Sequence, residues 1–353
     1  MANKIQVRRG IFANLPTLSV GEPAFCTDTK QLFVGDGTNN IEINSSNKED
    51  MIINGGFDIW QRGTSQTISG YGSDDRWYNE SATSNKTHSR QAFAVGQTEV
   101  PNNPTYFSRT AVTSVAGGYC VKTQRIEDVA KLSGKTMTLS FWAKADGNKK
   151  LCVEFMQQFG TGGSTGVGTI QPTTCNLTTT WKRFTVTVTL PSVSGKTIGA
   201  GNYTAVYFWF DAGTAYNART NSIGQQTGTF DIANVTFVEG KTPKEWQPEN
   251  LATLMTKCQR YYETSNGENR SLALNYPEGH ASVFIHFKEK RCAPTIVSGP
   301  QAFIHYPGIS AGWHNFSGLG NIKENSATID YSTGATHSLT GECVFSWSAD
   351  AEL

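Results

Sequence analysis

The chain has 353 residues, which is enough for two or three domains that each bury a core of their own. Its formal net charge is +1, so it lacks the excess of positive charge that proteins binding nucleic acid carry. Charged residues make up only 17% of the chain, and Gly, Thr, Ser and Asn are abundant, which favours short strands joined by tight turns. The sequence therefore predicts an all-β protein with no nucleic-acid partner.

Neither a signal peptide nor a membrane span is predicted. The first ten residues contain no apolar segment of signal-peptide length, and no stretch approaches the about 20 apolar residues that span a bilayer. Seven cysteines are scattered without CxxC pairs, which argues against a zinc ribbon and against a dense disulfide framework. We therefore expect synthesis in a cytoplasm, no membrane insertion, and cysteines that are mostly reduced and buried.

Residues 1–48 have the pattern of a small β module. Short apolar segments at residues 24–26 and 32–34 are separated by turn residues, and Asp36-Gly37 marks a further turn. A unit below about 40 to 50 residues usually needs a partner to be stable. We therefore expect this module to form oligomers or to dock onto another protein.

Residues 49–248 have the pattern of a β-sandwich. Apolar residues alternate with Thr and Ser in two segments, which are Met137, Leu139, Phe141 and Ala143 in the first and Phe184, Val186, Val188 and Leu190 in the second. Residues 205–210 are apolar or aromatic in both alternating sets, as in a central strand that is covered on each face. Strand spacing and turn density together predict a jelly roll.

One helix is predicted over residues 249–264, within a connecting segment at 249–266. Pro248 stands at its entry, and apolar residues recur at helical spacing at Leu251, Leu254, Met255, Cys258 and Tyr262. Asn266-Gly267 ends it, and apolar segments at 281–287 and 343–347 follow. Residues 267–353 are therefore predicted to form a separate C-terminal β-sandwich domain.

Catalytic motifs are present only as incomplete matches. Residues 162–166 fit Gly-x-Ser-x-Gly, but they lie in a glycine-rich loop where a nucleophile elbow requires a strand before it and a helix after it. Asp74-Asp75 could act in glycoside hydrolysis if they faced a cleft, although a turn with an Asx cap is the simpler interpretation. We therefore predict that the protein is not an enzyme.

Aromatic residues in loop-like contexts are the candidate carbohydrate-binding residues, because a loop cannot easily bury such a ring by itself. They are Tyr71, Tyr306, Trp313 and His314. Each of them either packs on a neighbouring segment or contacts a ligand.

The segment RRGIFANLPTLSVGEPAFCTDTKQLFVGDGTN at residues 8–39 resembles the N-terminal module of phage tropism determinants and tail fibres. The resemblance implies trimeric attachment to a virion. The C-terminal segments LMTKCQRYYE, FKEKRCAPTIV and FSWSADAEL, at 254–263, 287–297 and 345–353, are similar to phage fibre and receptor-binding proteins.

The segments NGGFDIWQRGT at 54–64 and FDIANVTFVEGKTPKEWQPE at 230–249 resemble the first and last parts of carbohydrate-binding-like jelly rolls in phage fibres. In related modules an early acidic residue and an Asp of the last strand share a structural calcium ion. Asp58 matches the first position, but Ala233, with Asn234 beside it, stands at the second. The resemblance therefore leaves calcium in doubt, with Asp58 as the one candidate ligand, and we predict no other cofactor.

These observations favour a homotrimeric phage fibre or spike located at the virion surface. Residues 1–48 would attach it to other virion proteins, and the region 267–353 would be the receptor-facing tip that binds a bacterial surface glycan through multivalent contacts. A purely structural role, as a head fibre, decoration or tail-connector protein without a host ligand, stays open. An enzyme that degrades surface polysaccharide is the third alternative.

Overall fold

The computed structural model describes residues 7–28, 31–43, 48–265, 269–276, 280–305, 312–332 and 341–353. Its N-terminal module is a four-stranded sheet in the order β1-β2-β3-β4, made of β1 (Arg8–Gly10), β2 (Pro23–Cys26), β3 (Leu32–Gly35) and β4 (Asn40–Glu42). Strand β1 is parallel to β2, and the other pairs are antiparallel. The buried core of this module is small, consisting of Leu18, Ala24, Cys26 and Phe33.

Two packed sheets follow, as the sequence predicts for a jelly roll. Their strands are β5 (Ser65–Gln66), β6 (Trp77–Ala82), β7 (Asn85–Ala92), β8 (Tyr106–Thr113), β9 (Tyr119–Glu127), β10 (Thr136–Ala145), β11 (Lys149–Gln158), β12 (Val167–Leu177), β13 (Lys182–Thr189), β14 (Tyr203–Ala212) and β15 (Gly228–Glu239). One sheet has the order β13-β10-β15-β8-β7-β5, and the other has the order β12-β11-β14-β9-β6.

The core of the jelly roll lies between these sheets. It contains the predicted inward set of β10, since Met137, Leu139, Phe141 and Ala143 are all fully buried. Strand β14 is the central strand of the five-stranded sheet, as predicted for residues 205–210. Helix α1 (Asn217–Thr220) covers part of that sheet on the side away from the core.

The predicted connecting helix is confirmed, but it is shorter than the sequence indicates. Helix α2 spans Leu251–Gln259, and the side chain of Asn250 caps it by accepting hydrogen bonds from the main-chain N–H groups of residues 252 and 253. Residues 262–264 are not helical, because they form strand β16 (Tyr262–Thr264), which pairs with residues 348–350. Long-range strand pairing therefore overrides the helical periodicity at this end.

The C-terminal region is all-β, but it closes into a barrel and does not form the predicted two-sheet sandwich. Its strands are β17 (Asn269–Tyr276), β18 (His280–His286), β19 (Thr295–Ser298), β20 (Gln301–His305), β21 (Gly312–Gly320), β22 (Ser326–Ser332), β23 (Gly341–Phe345) and β24 (Trp347–Asp350). The barrel order is β17-β18-β22-β21-β20-β23, and β23 closes it by pairing with both β17 and β20. Closure removes the free sheet edges that a sandwich would leave. A separate three-stranded sheet has the order β16-β24-β19.

Among the described residues, no helix combines the length and the apolar character that a membrane crossing needs.

Six of the cysteines are buried and Cys292 is partly exposed. Burial raises the pKa of Cys175 and of Cys343 to about 12, so these two thiols are protonated at neutral pH and pack as small apolar groups.

Candidate functional site

The outer face of the five-stranded sheet carries three half-buried tyrosines. Tyr203 and Tyr207 alternate along the central strand β14, and Tyr78 lies on the edge strand β6. Thr123 of β9 lies directly opposite both Tyr78 and Tyr207, so these two rings share one row across the sheet. The intervening residue Phe208 points into the core, as strand alternation requires. We call Tyr78, Tyr203 and Tyr207 the tyrosine face.

Arg125 stands between two rings of the tyrosine face. Its guanidinium carbon is 4.3 Å from the ring centroid of Tyr78 and 5.1 Å from that of Tyr203. This arrangement stabilises the guanidinium between the two rings, because the faces of aromatic rings attract cations. One Nη1–H group of Arg125 donates to the main-chain oxygen of Leu353. An aromatic surface beside a fixed cationic donor is suited to a ligand with an apolar ring face and hydroxyl groups.

An ion pair between Arg219 and the buried Glu154 lies beside Tyr207, since Glu154 of β11 is directly opposite Tyr207 in the sheet. The Nε and Nη2 atoms of Arg219 donate to the two carboxylate oxygens of Glu154, at 2.8 and 2.9 Å, and Trp209 Nε1 donates to the same carboxylate at 2.9 Å. The Arg219 guanidinium carbon lies 5.3 Å from the ring centroid of Tyr207. Burial raises the pKa of Tyr207 to about 12, so its phenol keeps its proton at neutral pH. Because Glu154 is fully buried and paired, it holds the tyrosine in place and is not exposed to a ligand.

Tyr71 lies at the edge of the tyrosine face. Its ring packs edge-on against Tyr78 with 5.2 Å between the centroids, and its hydroxyl is 3.4 Å from the main-chain oxygen of Leu353. Burial raises the pKa of its phenol above the ordinary value. Tyr71 therefore packs on neighbouring segments and is half-buried, and its role in carbohydrate binding stays a prediction.

Two of the other predicted residues, Trp313 and His314, belong to the barrel. The sequence predicts a loop around Trp313 and His314, but both lie in strand β21, which pairs with β20. Trp313 is opposite Phe303, 5.3 Å away ring to ring, and is 63% exposed. His314 is opposite the fully buried Ala302, so consecutive residues of the strand place Trp313 and His314 on opposite faces. Tyr306 lies outside the described residues.

Asp58 lines a cleft of about 770 Å³ between the jelly roll and helix α2. Burial raises the pKa of its carboxyl to about 6. The main chain passes close to it at Gly56, where a Cβ atom would come within 2.4 Å of the Trp246 ring and 2.9 Å of Asp58 Oδ2. The space around this carboxylate is therefore partly occupied by an indole ring.

The residues around Asp58 do not fit the calcium site that the resemblance implies. Ala233, which stands where related modules have a second carboxylate, is fully buried in an apolar cluster with Trp181 and Phe107. The side-chain amide of its neighbour Asn234 donates to the main-chain oxygen of Pro101. Within the described ranges, no three His, Cys, Asp or Glu side chains are grouped so that they could hold a metal ion.

The residues of the incomplete catalytic motifs make structural contacts. Ser164 lies in the loop before strand β12, so a strand follows it where a nucleophile elbow has a helix, and its Oγ accepts a hydrogen bond from Thr197 N. Asp74 and Asp75 do lie in a turn, but both side chains are buried, which differs from the predicted Asx cap. The Asp74 carboxylate pairs with Lys122, and that of Asp75 accepts from the main-chain N–H of Gln61 at 2.8 Å.

Sequence reasoning missed the tyrosine face. The alternation in β14 predicts that both faces of the strand are covered, and this is correct for Phe208 and Trp209. It does not show that the outer face is open around Tyr207. The one available signal was the even spacing of Tyr203 and Tyr207, which places both on the same face of a strand. Tyr78 joins them only because β6 and β14 both pair with β9, and no local pattern shows this.

Several solved structures are similar to about half of the chain. Tailspike protein 4 of bacteriophage CBA120 is 15% identical, with 47% of this chain and 19% of that chain covered and a TM-score of 0.31. A family 4 carbohydrate-binding module is 18% identical over 53% of this chain and 98% of that chain, with a TM-score of 0.31. The N-terminal cellulose-binding domain of Cellulomonas fimi β-1,4-glucanase C is 14% identical over 52% and 100%, with a TM-score of 0.32. The chain thus spans about a fifth of the tailspike's length.

Sequence comparison supports the N-terminal resemblance. No curated protein matches the chain. Residues 5–39 match the family model of the major tropism determinant N-terminal domain. This confirms the resemblance predicted for the first module, whose residues 5–39 are similar to that domain.

Proposed function

We propose that this protein is a phage virion appendage that attaches to the particle through residues 1–48 and binds a glycan on the bacterial surface. The tyrosine face carries the proposal. Its half-buried rings provide apolar surface for pyranose rings, and the guanidinium of Arg125 between Tyr78 and Tyr203 provides a hydrogen-bond donor for sugar hydroxyls. Since the ion pair of Arg219 with Glu154 on the neighbouring strand fixes Tyr207, the surface is formed before the ligand binds.

The surface of the N-terminal module supports attachment to other virion proteins or to further copies of the chain. Its four strands bury only a small core, while Val20 is 79% exposed and Ile43 is 51% exposed. Apolar side chains that a module of this size cannot bury gain stability when another protein covers them. A homotrimer would present three tyrosine faces together, so weak single contacts would add up to strong adsorption.

Binding of the full chain to purified surface polysaccharide of host bacteria tests the proposal. We expect saturable binding of the full chain and competition by oligosaccharides from the same polysaccharide. A chain that assembles on virions but binds neither host polysaccharide nor host cells would contradict the glycan-binding part. Finding only monomers by mass photometry would contradict the trimer.

A purely structural virion protein is the second candidate, and apolar side chains on the outside of the barrel favour it. Leu272 of β17 is 67% exposed, and Phe284 of β18, which lies beside it, is 48% exposed. Such a patch suits contact with protein. Immunogold labelling of intact particles would distinguish the candidates, because an appendage that binds host cells is expected at a tail tip or fibre end.

We propose no catalytic activity for this chain. The Gly162–Gly166 motif lies in a loop before a strand, and the adjacent Asp74 and Asp75 are buried in separate contacts. Release of reducing sugar from host polysaccharide by the purified protein would contradict this.

A further inference from the structure

A polar cluster interrupts the core at one end of the jelly roll. Asn79 lies on the edge strand β6, and Lys122 lies directly opposite it on β9. Asp74 precedes β6 in a turn. Each of these three residues is at most 1% exposed. The function proposed above uses none of them.

The three side chains are arranged as an amine, a carboxamide and a bridging carboxylate. Lys122 Nζ donates to Asn79 Oδ1 at 2.6 Å and also to Asp74 Oδ2. Asn79 Nδ2 donates to the other carboxylate oxygen, Asp74 Oδ1, at 2.9 Å. The Asp74 carboxylate therefore contacts both the amine and the amide nitrogen, while the amine also contacts the carboxamide itself.

Two aromatic rings flank the amine on the sides that its hydrogen-bond partners leave open. The ring centroids of Phe57 and Trp77 lie 5.8 and 5.6 Å from Lys122 Nζ. Burial lowers the pKa of Lys122, because removing water disfavours the ammonium form. A buried lysine that loses its proton to a neighbour is a nucleophile.

From this geometry we propose that Lys122 and Asn79 form an intramolecular isopeptide bond, with Asp74 as the acid–base group. Proton transfer from the ammonium to the Asp74 carboxylate leaves a neutral amine beside a carboxylic acid. The lone pair of Nζ attacks Cγ of Asn79 and forms the new C–N bond, while the acid protonates Oδ1. Asp74 then takes one proton from the positively charged Nζ and passes it to Nδ2, the bond between Cγ and Nδ2 breaks, and ammonia leaves. The proton on Oδ1 is released to the ammonia, which restores the carbonyl and gives the ammonium ion.

The reaction is balanced without any further reagent. One ammonium group and one carboxamide give one secondary amide and one ammonium ion, and Asp74 is regenerated. The structure supplies the condition for this slow reaction, which is a fixed contact between the reacting groups at a site buried from solvent. The Nδ2 atom that leaves is also held by Ser73 Oγ at 3.1 Å, in addition to Asp74.

The bond would join the edge strand of the five-stranded sheet to its neighbour. Strand β6 is an edge strand that pairs within that sheet only with β9, and no covalent bond holds it there apart from the chain itself. A covalent link between Asn79 and Lys122 would keep β6 in place when local opening occurs. This would slow unfolding and proteolysis of an appendage that works outside a cell.

Intact mass spectrometry of the denatured full chain tests the proposal. The expected mass is lower than the sequence mass by one ammonia molecule. Trypsin should release residues 77–86 joined to residues 110–125, with no cleavage after Lys122, because an acylated lysine is not a substrate. Recovery of the full mass, together with separate peptides 77–86 and 110–122, would overturn the proposal. A succinimide at Asn79 gives the same loss of mass but leaves 77–86 unlinked, and that result would overturn it as well.

Three variants show which groups take part. Lys122→Met keeps the length of the side chain but has no amine, and Asp74→Asn removes the carboxylate, so both should have the full sequence mass. The matched control is Lys86→Met, since Lys86 is another buried lysine, whose amine donates to the main-chain oxygen of Thr67. That variant should still lack one ammonia. If either Lys122→Met or Asp74→Asn does not fold, the wild-type mass and peptide map still decide the question.

Discussion

Glu352 forms a buried ion pair with Arg76, and this pair joins the segment after β24 to the jelly roll. The side chain of Arg76 is 1% exposed and that of Glu352 is 5% exposed. Arg62 donates to the other oxygen of Glu352 at 3.3 Å, and the ring of Tyr261 covers Arg76 with 3.4 Å between the guanidinium carbon and the centroid. The contact lies beside the tyrosine face, since Leu353 accepts a hydrogen bond from Arg125.

We expect Glu352→Gln to weaken the attachment of the C-terminal region to the jelly roll. Removing one partner leaves the Arg76 charge buried without compensation, a change that typically costs about 3–5 kcal/mol. The rate of limited proteolysis near residues 260–266, together with urea denaturation, measures the effect. Glu289→Gln is the control, because Glu289 is exposed and a change there should stay within about 0.5 kcal/mol. Equal behaviour of the two variants would contradict the structural role of Glu352.

Asp58→Asn should make the protein more stable at about pH 8 and leave its stability nearly unchanged at about pH 4. Burial raises the pKa of Asp58 to about 6, above its unfolded value of 3.8. Its protonated form therefore favours the folded state below pH 3.8, and this contribution is lost as the pH rises through 6, where the buried carboxyl must ionise. Because the side chain is only partly buried, we expect the free energy of unfolding at about pH 8 to rise by about 1 kcal/mol, which is less than the pKa shift alone would give.

Thermal unfolding of the wild-type protein and of Asp58→Asn, with and without calcium, measures this difference. The residues around Asp58 do not fit a calcium site, so chelation should not lower the midpoint of the wild-type protein. A variant that is less stable than the wild-type protein at alkaline pH in calcium would mean that the carboxylate ligates the ion.

The sequence predicted the layers of the fold better than its contacts. The alternation of Met137, Leu139 and Phe141 with Thr and Ser depends only on strand period, and these residues are indeed fully buried. Whether a sheet closes depends on which strands pair, and no local pattern shows that β23 pairs with both β17 and β20. The tyrosine face likewise depends on the register that brings Tyr78 and Tyr207 to the same row.

Tyr203→Ala should weaken binding of a host oligosaccharide about tenfold, because one aromatic stack contributes up to about 1.5 kcal/mol. Calorimetry with a short oligosaccharide is the suitable measurement, since it avoids the avidity of a multivalent chain. Tyr106→Ala is the matched control, because Tyr106 is also half-buried and lies against an arginine, Arg90, but on the other sheet. If both variants lose affinity equally, the ligand does not bind at the tyrosine face.

Trp313→Ala should distinguish the contribution of the barrel to host binding from that of the tyrosine face. Trp313 is 63% exposed and contacts Phe303 through one ring edge, so its removal should change the free energy of unfolding by less than about 1 kcal/mol. If the barrel is the receptor-facing tip, adsorption of the full chain to host cells should fall several-fold, while oligosaccharide binding at Tyr203 stays unchanged. Phe284→Ala is the control, because Phe284 is an exposed aromatic on another barrel strand, β18. Trp313 lies in the barrel and Tyr203 lies in the five-stranded sheet of the jelly roll. If Trp313→Ala adsorbs normally to host cells and Tyr203→Ala does not, host binding belongs to the jelly roll.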